Sequence, residues 1–304
     1  MLNYLVTHYY HSGFSVACED TILIFDYWEG ENGDLAENLR LTPEILSGFR
    51  HIYVFISHDH IDHMDPVVFT WKDLPGIQYI VASDMPVGTR GRRMAPGDSI
   101  EFSEEVKVTA FDSTDPGVSF LVNFRGLQVF HAGDLNFWHW RDESTMQEIE
   151  EADALFRKAI EPISRENVDI AFFPLDPRQG TMFEAGANFF ILSVKPRILI
   201  PMHYFHRAEV AMEYARTASC RETEVIAMPG YGDVLGIEMD EDGYLNLYYP
   251  EPAAPAEEEE DPLMAEDDPF LESDLPVSQL AEENAEENAE KKPETHPDEG
   301  APEA

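Results

Sequence analysis

Between Phe55 and Pro66 the chain reads FISHDHIDHMDP, a short run dense in the imidazole and carboxylate side chains that can ligate cations or move protons. Three histidines and two aspartates follow Ser57 within six positions. His58 and His60 stand at i and i+2, with Asp62 and His63 directly behind them, a spacing that surrounds two adjacent cations if the loop turns tightly. Imidazole suits zinc, iron or nickel, and the carboxylate also admits manganese or iron. The competing explanation is an exposed polar loop enriched in histidine by chance. It accounts poorly for so many ligand types at the end of an apolar strand, where unpaired imidazole and carboxylate are costly to bury.

Two later landmarks repeat the pattern of a strand running into a ligand. HAGD (131–134) follows LQVF and ends on Asp134; IPMHYF (200–205) follows RILI and carries His203. With these three landmarks in order, the sequence resembles the metallo-β-lactamase superfamily, whose HxHxDH signature is matched by His58, His60, Asp62 and His63. The resemblance spans about residues 1–250. It implies an α/β (α+β) fold, a four-layer αββα sandwich with two metals at one edge. In that scheme His58 and His60 hold the first metal, Asp62, His63 and His203 the second, and Asp134 bridges them. Asp62 and Asp134 are then the catalytic carboxylates, Asp62 orienting a metal-bound hydroxide. The expected cofactor is one or two divalent transition metals, zinc first, with manganese or iron as alternatives. The opening HYYHSGFSV…ILIFDYW, the FHAGDLN turn and the PMHY ending are similar to the ascorbate-6-phosphate lactonase-like small hydrolases.

One feature departs from the superfamily pattern. The family's third histidine for the first metal is missing, because the corresponding stretch reads FDSTDPGVSF (111–120). Asp115 is the expected replacement ligand, with Asp112 and Ser113 as alternatives, which would make that site richer in oxygen. His131 is expected to orient the Asp134 turn rather than to bind metal. His11, Trp138 and Arg178 are candidate substrate-binding residues. His8 and His11 would lie at the pocket mouth, with a structural role as the alternative for each. Arg90, Arg92 and Arg93 form a basic cluster that reads as a solvated loop or an anion site, and His206 reads as a surface histidine.

The elements that must position these side chains are short β-rich runs broken by Gly, Pro and Asp. SVACED and TILIFDYW read as a hairpin, and HIYVFIS (51–57) as a strand covered on both faces. QYIVAS, VKVTAF, VSFLVNF, LQVFHA, VDIAFFP, PRILIPM, EVIAMP and GYLNLYY continue the series. Helices are expected over 144–160, where Ser and Thr supply caps, and over 181–194. Strands followed by helix–strand units predict two face-to-face sheets with helices outside.

From Glu251 to the last residue the composition changes. This segment, 251–304, holds 20 acidic and 2 basic side chains, 8 prolines and a single aromatic, Phe270. It cannot bury enough apolar surface to offset its ordering entropy, and composition predicts a disordered acidic tail following a catalytic domain over 1–250. Only 268–280 carries an apolar patch. The tail accounts for −18 of the net −40, which leaves −22 on residues 1–250. A body this acidic repels nucleic-acid phosphates and anionic lipid, so neither is an expected partner. No apolar run reaches the roughly 18 residues of a membrane span, and the first residues lack the cationic and apolar regions of a signal peptide. The two cysteines, Cys18 and Cys220, form no CxxC pair and read as buried free thiols of a cytoplasmic protein.

The function expected from these residues is metal-dependent hydrolysis of a small-molecule ester, lactone or phosphodiester, with an anionic substrate as one option. The alternative is a non-catalytic metal-binding scaffold or sensor in which the missing histidine marks a degenerate site. The sequence leaves oligomeric state open.

Overall fold

The computed structural model describes residues 1–250, so the expected acidic tail at 251–304 lies outside the described residues. Two sheets form the frame. The first has eight strands: β1 (Leu2–His8), β2 (Phe14–Cys18), β3 (Thr21–Phe25), β4 (His51–Ile56), β5 (Ile77–Ala82), β6 (Arg92–Met94), β14 (Val234–Met239) and β15 (Leu245–Tyr248). Their spatial order is β15-β14-β1-β2-β3-β4-β5-β6. The second has seven: β7 (Ser99–Ser103), β8 (Val106–Phe111), β9 (Ser119–Phe124), β10 (Leu127–His131), β11 (Ile170–Pro174), β12 (Ile198–Met202) and β13 (Glu224–Val225), in the order β13-β12-β11-β10-β9-β8-β7.

The period-2 alternation of strand side chains explains the layering. Phe172 of β11 meets Phe14 of β2 across the inter-sheet core at 4.3 Å between ring centroids, while its neighbour Phe173 faces outward onto Phe190 at 4.5 Å. Phe190 belongs to the helix α3 (Ala185–Val194). On β10, His131 stacks on Phe25 of the opposite sheet, and Phe130 packs on Phe190. Because both faces are covered, β11 and β12 are apolar throughout, and β3 and β4 are apolar after their first residues, Thr21 and His51. The helices α2 (Met146–Ile163), α3 and α4 (Ala208–Ala218) lie against the second sheet. Beside the first sheet the helical layer is slight. It comprises α1 (Pro43–Leu46) and the 3-10 turn Pro66–Trp71, which lie in the crossovers linking the parallel pairs β3/β4 and β4/β5.

The hairpin β2–β3 and the central strands form where the apolar runs predict them. Helix α2 starts through a complete capping box, Thr145 with Glu148. Helix α3 begins four residues later than the expected 181, because Met182 takes a left-handed backbone (φ 66°) that a helix cannot contain. Cys18 is buried as expected, but Cys220 is exposed just past the end of α4, contrary to the burial expected of it. Among the described residues no helix is long and apolar enough to cross a membrane.

Candidate metal centre

Strand ends supply the site. His58 follows β4, Asp134 follows β10, His203 follows β12, and His11 sits in the turn between β1 and β2. All lie at one end of the sandwich, where parallel strands deliver side chains to a shared edge.

Three of the HxHxDH residues and two of the later landmarks are enclosed or nearly so. His63, His58, His203 and Asp134 are buried, Asp62 is partly buried and His60 is exposed. Their ligand atoms fall into two adjacent groups. One joins His58, His60 and Asp134; the other joins Asp62, His63 and His203 with His11; a third cluster, Asp26 with His58 and His63, links them. Asp134 turns a different oxygen to each. Its Oδ2 lies 3.5 Å from His58 Nε2, and its Oδ1 lies 2.9 Å from His63 Nε2 and 3.2 Å from His203 Nε2. Asp134 thus lies between the two groups, with one oxygen turned to each.

Ring orientation is imposed from behind. Asp26, entirely enclosed at the end of β3, takes the Ser57 amide N–H at 2.8 Å and the Ser57 hydroxyl at 2.6 Å. Its Oδ2 also lies 2.8 Å from His63 Nδ1, which leaves Nε2 of that ring facing the centre. Ser57 Oγ is in turn 2.9 Å from His58 Nδ1, and this fixes His58 in the same sense. On the other side Asp176 Oδ2 lies 3.1 Å from His203 Nδ1. Carboxylates that hold the rear nitrogen of an imidazole set its tautomer and raise its basicity as a ligand. Asp26 and Asp176 were not singled out in the sequence, although each directly follows an apolar run (ILIF, IAFFPL). The packing of HAGD on this layer depends on Gly133. Its φ is +54°, and a Cβ there would approach the Ser57 Cβ to 2.7 Å.

The electrostatics suit a cation. Burial tends to raise the Asp134 pKa, yet His63 and His203 hold the carboxyl well below its usual range. Burial alone would lower the His203 pKa; Asp134 overrides it and raises it to about 9. His11 is driven the other way, to about 3, by burial and by His203. The ring is therefore neutral at pH 7 with a lone pair to offer. His11 Nε2, His63 Nε2, His203 Nε2 and Asp134 Oδ1 are all buried without a hydrogen-bond partner, the close distances between them notwithstanding. Buried polar atoms are nearly always partnered, and four buried ligand atoms without hydrogen bonds in one cluster fit a divalent cation.

The other candidates fall in various places. His11 is enclosed within the second group rather than at a pocket mouth, because the Tyr9–Gly13 turn throws its ring inward. His8 is also far from any mouth. It is buried, with Nδ1 on the Met228 carbonyl and its ring stacked on Phe14. Asp115 is partly buried and not among the atoms of the first group. Burial, and then Asp134, raises its pKa. His131 uses both nitrogens away from the centre, on the Ser12 carbonyl and the Gly133 amide, as expected of a residue that orients the turn. Trp138 places its ring edge-on to His203 at 5.8 Å and donates to the Asp134 carbonyl. Arg178 is bound to Asp176, stacks over Phe205 at 4.2 Å and keeps a half-exposed side chain. His206 is exposed beside the Tyr10 hydroxyl. Of the basic cluster, Arg93 is occupied by the carbonyls of Ser83, Met85 and Pro86.

His11 and His203 both adopt left-handed backbone (φ 54° and 64°), as does Phe205 (φ 51°). Each such residue costs of order 1–3 kcal/mol and persists where surrounding structure enforces it, a pattern concentrated at functional sites.

Comparison with known proteins agrees with this arrangement. Residues 33–204 match the family model described as a beta-lactamase superfamily domain. A metal-dependent hydrolase of Natranaerobius thermophilus is 27% identical over 165 residues, which cover 50% of this chain and 64% of that protein. The chain thus spans less than two thirds of this relative's length. One of Pyrobaculum neutrophilum is 26% identical over 207 residues, covering 64% of this chain and 81% of its own. Among solved structures, a metallo hydrolase from Ignicoccus hospitalis shares the fold at a TM-score of 0.59 and 17% identity, over 78% of this chain and all of that one. A metallo-beta-lactamase fold protein from Bacillus subtilis does so at 0.51 and 14%, over 77% and 99%. Two facing sheets, the ordered His–Asp landmarks at one sandwich edge and a family match over more than half its length place this chain in the beta-lactamase superfamily.

Proposed function

We propose that the chain is a metal-dependent hydrolase acting on a small-molecule ester, lactone or phosphodiester, with the lactone class favoured by its resemblance to the lactonase-like branch. The observation that carries this reading is Asp134, which offers one oxygen to each of two adjacent ligand groups. His58, His60 and Asp134, and Asp62, His63, His203 and Asp134, would hold divalent cations, which would supply water acidic enough to serve as a nucleophile near neutral pH and an electrophile for the substrate oxygen.

The chain's own residues do the rest. Asp62 keeps Oδ2 toward His11 and His203, at 3.3 and 4.0 Å, so Oδ1 is the oxygen free to orient the attacking water and take its proton. Asp26 and Asp176 keep His63 and His203 from rotating, so the ligand set is preorganised before substrate arrives. Trp138 and Phe205 flank His203 with apolar surface and exclude water on that side. Arg178, stacked on Phe205, is placed to hold an anionic group of the substrate. No nucleic-acid substrate is proposed, given the −22 charge of residues 1–250.

The test is metal analysis of purified protein followed by assay against a panel of lactones, carboxylic esters and phosphodiesters. Near-stoichiometric metal with turnover that a chelator abolishes and added metal restores supports the enzyme. Bound metal without turnover across the panel points instead to the non-catalytic scaffold.

A further inference from the structure

We infer that His11 is a ligand of the second ion, and that the pocket of His11, Asp62, His63, His203 and Asp134 Oδ1 fills before the pocket of His58 and His60. The inference rests on the metal-dependent reading above and adds an occupancy order to it.

The state of the His11 ring comes first. Its side chain is wholly enclosed, and neither ring nitrogen has a hydrogen-bond partner. Nε2 stands 3.3 Å from Asp62 Oδ2, and the ring centroid is 4.0 Å from that of His203. A neutral imidazole has one donor and one acceptor to satisfy, and leaving both idle in the interior is costly. The histidines with structural roles behave otherwise. His131 and His139 use both nitrogens, and His8 uses one.

The backbone then shows that this placement is enforced. The turn is closed by Tyr9 N–H to the Gly13 carbonyl (2.9 Å) and Gly13 N–H to the Tyr10 carbonyl (2.7 Å). Ser12 is pinned from the second sheet by His131 Nε2 at 2.9 Å. The His203 amide reaches the His11 carbonyl at 3.3 Å, so the two left-handed residues brace each other and present their rings to one space. A side chain at position 13 would press on the Tyr10 carbonyl at 3.0 Å, so the tightness of the turn depends on Gly13.

The two pockets differ in what they hold ready. In the first, His58 Nε2 and His60 Nδ1 already partner each other at 3.0 Å, and His60 is exposed. The ligand atoms grouped there are two imidazole nitrogens and one oxygen of Asp134. In the second, the imidazoles of His11, His63 and His203 group with Asp62, Asp134 Oδ1 lies against His63 and His203, and four of these five residues keep a buried ligand atom without a hydrogen-bond partner. More donors, already fixed and already desolvated, mean tighter binding. Five protein donors also exceed the four of a tetrahedral zinc site and suit a five- or six-coordinate ion such as iron or manganese.

The full chain, stripped of metal and reloaded with one equivalent of Co²⁺, tests this by X-ray absorption at the cobalt edge. Three imidazole ligands per ion are expected; two would overturn the inference. Calorimetric titration with Co²⁺ gives an independent arm. His11→Gln and His11→Ala are expected to weaken the first equivalent by at least about 10-fold, while His60→Gln leaves it within about 3-fold and abolishes the second. A His11 variant with the wild-type metal-free melting temperature and wild-type first-ion affinity would overturn the inference. If a His11 variant does not fold, the imidazole count on the wild-type chain still decides. Absence of any Co²⁺ binding would sink the metal-dependent reading itself, whereas binding through two imidazoles sinks only the role of His11.

Discussion

Asp176 Oδ2 lies 3.1 Å from His203 Nδ1 and simultaneously receives the Arg178 guanidinium, so one buried carboxylate ties the His203 imidazole to a half-exposed arginine. Burial tends to raise the Asp176 pKa, but His203 and Arg178 hold it at about 2, and it stays ionised through the working range. Asp176→Asn keeps the shape and removes the charge. Its expected effect is a loss of metal affinity of about 10- to 100-fold, together with a lower metal-free melting temperature because the buried pairs with His203 and Arg178 lose their carboxylate charge, read by calorimetric titration and thermal unfolding.

Asp26 makes the contrasting case. It accepts from Ser57 twice and from His63, all in the interior, so Asp26→Ala strands several buried donors at once. Destabilisation of about 3–5 kcal/mol is expected from breaking such a buried charged network, together with loss of metal, measured by denaturant unfolding of the metal-free protein. A variant as stable as wild type would show that this layer is not structural.

His8 predicts a pH dependence of stability. Burial lowers its pKa from 6.5 to about 4. Above pH 6.5 the ring is neutral in both states and costs nothing. As pH falls below 6.5 the unfolded chain binds a proton that the folded chain refuses, so stability drops by up to about 1.4 kcal/mol per pH unit. The loss approaches about 3 kcal/mol near pH 4 and then stops growing. His8→Gln removes that contribution. The stability difference between wild type and His8→Gln, followed in metal-free protein between pH 7 and 4, is expected to shift in favour of the variant as pH falls.

Arg178 predicts a substrate signature. Arg178→Gln is expected to raise KM about 10-fold or more for anionic substrates, in line with loss of a hydrogen bond to a charged group, while KM for neutral esters changes little. Equal losses for both would place the arginine in support of Asp176 alone.

The expected domain boundary predicts that a chain ending at Pro250 keeps the melting temperature and metal content of the full chain. A large fall in either would mean that residues 251–304 contribute to the fold.

Much of this architecture was legible in local pattern. Runs such as HIYVFI and ILIPM are apolar on both faces, so β4 and β12 announced themselves, and Thr145 with Glu148 marked the start of α2. The edges were harder to see. Strand β1 alternates only partly, β13 pairs through just two residues, and α4 presents a narrow apolar stripe of Val210, Ala211 and Tyr214. HxHxDH, Asp134 and His203 could be read because each follows an apolar strand. His11 was visible as a histidine but not as a member of the second group. Its contacts with Asp62 and His203 are created by a turn and a sheet edge, and no local spacing encodes them. The same is true of Asp26, whose carboxylate reaches His63 across 37 residues of chain.

The central claim is that Asp134 joins two cation pockets at one sandwich edge. Anomalous diffraction from crystals of this chain soaked in Zn²⁺ or Mn²⁺ tests it most directly. The account predicts at least one strong peak within about 2.0–2.3 Å of an Asp134 oxygen, flanked by His63 and His203. Full soaks that leave no peak beside Asp134, or that place the ion elsewhere on the acidic surface, would contradict it.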